Sequence, residues 1–336
     1  MTATPRFDHL VAITDRFGTF EHADHALARR EHGYCADDVA RVLVVTTNEP
    51  RPSEAVRSLA QGSLAFLTES LDARGACRNR RGVDGSWTDE GSFEDCWGRS
   101  VWGLGAAAAS GQFSVAGPAL SLFERVARNR SPWLRTTAFA VLGAVAVASV
   151  DPENPVAQSL LLDGAQTLSD LSDGEQWPWP EPRLAYANAV VPEAMIAAGT
   201  ATDHPALVRR GLQLLEWLLA RETREGHLST TPAQGAGPDD TAPAFDQQPI
   251  EVAAMANACA RAHSLNGAAK WLDGIRMAND WFDGDNDAGV MMWDPLTGGG
   301  FDGLLVDVAN VNQGAESTLA LIATRQQAIA HQLVVS

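Results

Sequence analysis

One pattern recurs along this chain about every 50–60 residues, and it constrains the fold more than any other feature. A loop rich in Gly, Pro, Asp and aromatic residues leads into a helix of small residues, and a more amphipathic helix follows. The first repeat reads His-Gly-Tyr-Cys-Ala-Asp-Asp-Val-Ala-Arg (32–41) and runs to about Thr47, with a partner helix from Ser53, a candidate N-cap, to Ser70. The second opens at Phe-Glu-Asp-Cys-Trp-Gly-Arg-Ser-Val-Trp (93–102), with a partner from about Val115 to Arg128. The third opens at Ser131-Pro132, read as an N-cap with Pro at the first helical position, and its partner spans about Pro155 to Leu171. The fourth follows Trp-Pro-Trp-Pro-Glu-Pro (177–182), carries Tyr186, Asn188, Pro192 and Glu193, and pairs with about His204 to Arg221. The fifth follows a Gly/Pro/Asp-rich loop (231–243) and reads Phe-Asp-Gln-Gln-Pro-Ile-Glu (245–251), with a partner over about 268–282. The sixth reads Asn-Val-Asn-Gln-Gly-Ala-Glu-Ser-Thr-Leu-Ala (310–320), with about Thr324 to Leu333 as its partner.

Six helical hairpins have a natural closed solution, an all-α (α/α)6 toroid. The first helices form an inner ring, which is why they are rich in Ala and Gly: a helix apolar all round is a buried helix. The second helices form an outer ring and carry a one-sided apolar stripe. An open solenoid of helix pairs predicts a simple repeat consensus and polar caps at both ends, whereas these loops are long and unequal. One toroid domain is therefore expected over residues 1–336, with 1–31 as a lead-in. Every inner helix would begin at the same mouth, and the polar and aromatic residues cluster at those beginnings.

Composition narrows the ligand. The chain has 336 residues and a formal net charge of −17, a surface that repels phosphate backbones and anionic membranes. Neither nucleic acid nor a membrane is an expected partner, and a neutral oligosaccharide or glycan is. Lys270 is the only lysine, which argues against a phosphate-binding loop and a Schiff base. Cys35, Cys77, Cys96 and Cys259 form no CxxC pair and read as buried apolar residues. No cofactor or metal is expected. Asp283, Asp285, Asp287 and Asp294 come near a Ca²⁺-loop spacing, but Ala288 stands where glycine is required, so the plainer reading is an Asp/Asn/Gly turn. The N-terminus lacks an apolar targeting segment and no run of about 18 apolar residues occurs, so a cytoplasmic location is expected.

Two repeats align residue for residue. Asp37 lies four before Arg41 and Asp95 four before Arg99, a spacing that predicts an ion pair on each helix. Asp37, Asp38, Asp95, Glu251 and Glu316 are the candidate catalytic acids. Around them, His32, Tyr34, Trp97, Arg99, Trp179, Tyr186, Asn188, Gln248, Asp302 and Asn312 are candidates to bind substrate, because sugar hydroxyls need both donors and acceptors. The chain has 10 Trp against 2 Tyr; Trp87, Trp97, Trp177, Trp179 and Trp293 fall at the proposed mouth, where an indole face can stack on a sugar ring or plug the barrel top.

The motifs 32–41, Asp-Pro-Leu-Thr-Gly-Gly-Gly-Phe-Asp-Gly-Leu (294–304) and 310–319 resemble a helical domain attached to some bacterial glycosyltransferases, one of the six-hairpin glycosidase-like toroids. The resemblance runs from about Phe7 to Ala323 and implies a glycosyltransferase partner, although this chain carries no nucleotide-sugar-binding α/β domain. Within such toroids hydrolases use carboxylate pairs, and sugar epimerases and isomerases use histidines. Three functions follow: a glycoside hydrolase with carboxylate acid and base, a glycan-binding accessory module, and a sugar isomerase or epimerase. His22, His25 and His32 lie together near the first repeat, which argues against a histidine pair facing across the cleft.

Overall fold

A computed structural model describes residues 5–333 apart from 173, 175, 241 and 242; the remaining ends of the expected domain lie outside the described residues. Twelve α-helices are present among these residues: α1 (Asp8–Ala12), α2 (Ala36–Thr47), α3 (Glu54–Ser70), α4 (Asp95–Ala109), α5 (Phe113–Val126), α6 (Leu134–Val150), α7 (Pro155–Ser169), α8 (Val190–Ala201), α9 (Pro205–Arg221), α10 (Pro249–Asn266), α11 (Ala269–Phe282) and α12 (Ala315–Ala330). The even-numbered helices form the inner ring. Each packs on the next, and α12 returns to α2.

Helix starts follow local chemistry. Ser53 accepts the backbone N–H of Val56 at 3.3 Å and caps α3; Asn154 caps α7 through Ala157 at 3.1 Å, ahead of Pro155. The expected Ser131-Pro132 start is displaced. The helix begins at Leu134, while the Ser131 hydroxyl donates to the Phe93 carbonyl at 2.7 Å and ties the loop to the neighbouring repeat instead. Tyr186 and Asn188 lie in the loop before α8 rather than on it.

Small residues set the ring's tightness. A Cβ on Gly105 would sit 2.2 Å from the Gly143 carbonyl oxygen, and one on Gly143 would sit 2.3 Å from the Val101 carbonyl oxygen, so α4 and α6 touch backbone to backbone.

The sixth hairpin is built differently from the expectation. Residues 324–330 continue the inner helix α12 instead of starting an outer one. The outer place between α12 and α3 is taken by α1, from the far end of the chain. Leu10 and Ile13 pack with Val42, Val45, Leu59, Leu319 and Ile322 in a cluster of their own. Among the described residues, strands are confined to four pairs of two residues each, such as 303–304 with 309–310, and they brace loops between the helices. No helix among the described residues is long and apolar enough to cross a membrane.

Candidate functional site

The inner-helix N-termini bring the candidate acids together, but with different partners than sequence spacing gives. Arg41 reaches Asp38 at 2.6 Å, one turn earlier on its own helix, and Glu316 at 2.6 Å on α12. Asp37 turns the other way. Its Oδ1 lies 3.4 Å from Arg99 Nε on α4, and its Oδ2 accepts from Asn79 Nδ2 at 2.9 Å. Only the second expected intrahelical pair forms, Arg99 with Asp95, and it is long at 3.9 Å. Both i,i+3 and i,i+4 neighbours can reach Arg41 on a helix, and Asp37 is drawn away by Asn79 and Arg99.

The acids are in unlike environments. Asp38 is buried, and burial lifts its carboxyl to about 7 although Arg41 pulls the other way. Glu251 is buried too, and desolvation followed by the charge of Glu222 pushes it up to about 8. Its oxygens accept from the backbone N–H groups of Ala187 and Asn188 and from the Asn188 amide, so it pins the 185–188 loop. Burial also works on Glu316, but Arg41 and Arg99 outweigh it and hold this carboxyl below its usual value. Glu316 nevertheless keeps 40% of its side chain open to solvent. Asp95 accepts from the Thr136 hydroxyl at 2.8 Å and from the Tyr186 hydroxyl at 2.5 Å.

The candidate binding residues divide. Tyr186 is exposed beside Asp95, and Arg99 is buried below, stacked on Phe139 at 4.2 Å. Gln248 is half-buried at the start of α10. Asn312 accepts the His25 backbone N–H at 2.9 Å. Asp302 accepts from the Gly314 N–H at 2.8 Å and the Ser317 hydroxyl at 2.7 Å, capping α12 from a preceding loop, and burial raises its carboxyl. His32 is exposed, with its Nδ1 3.1 Å from His22 Nδ1.

Four of these candidates are internal. Tyr34 is buried, stacked on Phe20, and donates to Asp15. Trp97 packs edge-on to Phe93 inside the core. Trp179 is stacked on Trp217, and Asn188 is buried as the acceptor of Arg135 at 3.0 Å. Among the other tryptophans, Trp87 packs on Phe66 and Trp177 on Trp217.

Spacing alone missed Arg41 as the link between α2 and α12, and Glu21, which pairs with Arg80. Glu21 stands in a hairpin before the first repeat, where only the closed fold shows which helix it meets. Glu21, Cys35 and Asp38 bring one donor atom each within 4.8 Å, but Arg80 and Arg41 already pair with the two carboxylates, and burial pushes the Cys35 thiol well up. Asp283 and Asp287 do not converge on a cation: the first pairs with Arg325 at 2.6 Å, and the second takes Ser229 and His227.

No protein-family model and no curated protein sequence matches this chain. Solved structures do. A sugar epimerase from a ruminal bacterium superposes with a TM-score of 0.76 at 10% identity, covering 97% of this chain and 96% of that one. The fold is an (α/α)6 toroid. The cellobiose 2-epimerase from Bacillus thermoamylovorans matches this toroid at TM-score 0.70 and 12% identity, with 94% of each chain covered. A cellulase of C. cellulolyticum in complex with cellobiose matches at 0.63 and 9%, covering 94% of this chain and 88% of that one. The toroid is thus shared by sugar-epimerising and glycan-cleaving proteins, and the fold alone does not choose between them.

Proposed function

We propose that this toroid is a sugar isomerase or epimerase that moves a proton at the carbon beside the carbonyl of a neutral, ring-opened sugar. The observation that carries this reading is the contact between His22 and His32, Nδ1 to Nδ1 at 3.1 Å. Such a contact needs one ring to donate and the other to accept. In neutral rings, the donor then presents a bare Nε2 and the acceptor an Nε2–H. The pair offers one acceptor nitrogen as base and one N–H as acid. His22 also lies within electrostatic reach of Glu316 and Asp302.

Removing the proton from C2 leaves an enediolate. Arg41 and Arg99 are the cations placed to stabilise that charge. Returning the proton to C1 while the O2 hydroxyl proton passes to O1 gives the ketose, and returning it to the opposite face of C2 gives the epimer. The histidines are neighbours rather than opposed across the cleft, so Glu316 supplies the second direction of proton transfer.

Hydrolysis was the leading expectation from sequence. Two of its five acids, Asp38 and Glu251, are buried, the first paired with Arg41 and the second holding the backbone of Ala187 and Asn188. One observation favours it as a second reading: Asp302 is raised and Glu316 lowered, the split an acid and a base require. Incubation with neutral mono- and disaccharides in D2O separates the readings. Isomerase or epimerase action puts solvent deuterium at C2 and yields ketose or epimer signals by NMR, and His22→Asn abolishes both. New reducing ends without exchange assign hydrolysis, and binding without either assigns the accessory role beside a glycosyltransferase.

A further inference from the structure

Below the mouth, the inner ring encloses a bore of about 1000 Å³. It begins at Arg41, Arg99 and Glu316 and runs to the opposite rim at Asn48, Ser110, Ser149 and His331. Inner helices of 12–18 residues make its walls about 18–27 Å long. Those walls are largely hydrocarbon: Val44, Trp102, Phe139, Leu142, Ile250 and Leu319, with many alanines between. Trp102 stacks on Phe139 at 5.5 Å and forms a flat aromatic panel. Some of the polar groups along the walls pair with one another. Arg261 pairs with Glu193 at 3.1 Å, and Gln327 donates to Asn257 at 2.9 Å.

A space this large would take about thirty waters, each wanting two to four polar partners, and the apolar walls supply few. Sugar rings, studded with hydroxyls, fit such walls poorly. At the upper end the chemistry changes. The Nε groups of Arg41 and Arg99 are buried and have no hydrogen-bond partner. Arg99 Nε lies 3.4 Å from Asp37 Oδ1, and Arg41 is held by Asp38 and Glu316, so charged groups ring the upper end of the bore.

We infer that the bore holds the hydrocarbon chain of an amphiphilic sugar whose hydrophilic head lies at the mouth. This inference rests on the reading of the mouth as a sugar site. It narrows the substrate class to sugars bearing a long acyl or alkyl chain at a position other than the reacting carbon. The head stays at the charged rim beside Arg41, Arg99 and Glu316, and the chain runs down past Trp102 and Phe139.

The test is calorimetric binding of 6-O-acyl glucoses of increasing chain length, each below its micelle-forming concentration, against glucose itself. These esters keep C1 free, so the same samples report deuterium exchange in D2O. Affinity is expected to rise about fourfold per added methylene, levelling off once the chain reaches the far rim. Ala254→Leu and Ala323→Leu narrow the bore and should flatten that rise while leaving glucose binding unchanged. The wild-type series decides alone if either variant fails to fold. Equal affinity for glucose and its decanoyl ester overturns the inference, whatever the exchange result. A rise with chain length without exchange keeps the bore and discards the isomerase reading. The same rise with acylglycerols in place of sugar esters overturns the sugar head.

Discussion

Arg41 shows how single residues are used at this mouth. It holds two carboxylates of opposite character, Asp38 buried and raised to about 7, and Glu316 partly open and lowered. Glu316→Gln keeps the shape and removes the negative charge. Deuterium exchange should fall about 10²–10⁴-fold, the usual worth of a positioned acid or base. Stability should fall as well, because Arg41 is only 11% exposed and is left with Asp38 as its remaining carboxylate partner. Unchanged exchange would remove Glu316 from the machinery. Glu251 makes a different prediction. Its folded value of about 8 lies above the ordinary 4.5, so between these pH values the folded state binds more protons than the unfolded one. Its contribution is complete below 4.5 and is lost as pH rises through 8. Melting curves across that range should therefore decline more steeply with pH for wild type than for Glu251→Gln. Parallel pH slopes would contradict the burial argument. The residue types at the helix starts were readable from sequence, but their partners were not: Asp37 and Asp38 are adjacent, and Asn79 and Arg99, from distant parts of the chain, take Asp37 and leave Asp38 to Arg41.

At the scale of elements, the small-residue helices were the most legible part of the chain. The Ala/Gly content of α4 and α6 pointed to inner positions, and the Gly105–Gly143 approach is the physical reason for it. Gly143→Ala puts a methyl group against the Val101 carbonyl and should force the two helices apart. The expected loss is about 1–3 kcal/mol, the range for overpacking a core, measured as a lower urea midpoint with unchanged slope. Since Asp95 on α4 accepts from Thr136 on α6, the same shift should weaken substrate binding. A variant as stable as wild type would mean that the ring has slack at this seam. The tryptophans were less legible. Their number marked the loop-rich end, yet a sequence cannot tell an indole that faces a ligand from one that fills a barrel top, and Trp97 and Trp179 do the latter.

The closure of the whole ring was the feature hardest to read. Sequence places the sixth outer helix after the sixth inner one, because every earlier hairpin is consecutive. In the folded chain α12 runs on to Ala330, and the vacant outer place is filled by α1 from the other terminus. Five residues carry too little periodicity to announce a helix, and their partners lie some 30 to 300 positions away. Two contacts then close the same seam between α2 and α12: the apolar cluster around Leu10 on the outside, and the Arg41–Glu316 pair on the inside. If the outer contact supports the inner one, damage to it should reach the mouth. Leu10→Ala should cost about 2–5 kcal/mol, since Leu10 is fully buried and its neighbours come from three separate helices. It should also slow deuterium exchange at temperatures where the variant is still folded, although residue 10 touches no candidate site residue. Ala254→Leu, on an inner helix away from the seam, serves as the control: it should leave exchange on glucose unchanged. Loss of stability in Leu10→Ala with full exchange below its melting range would show that the inner pair holds the seam unaided, and that the terminal helix contributes to stability alone.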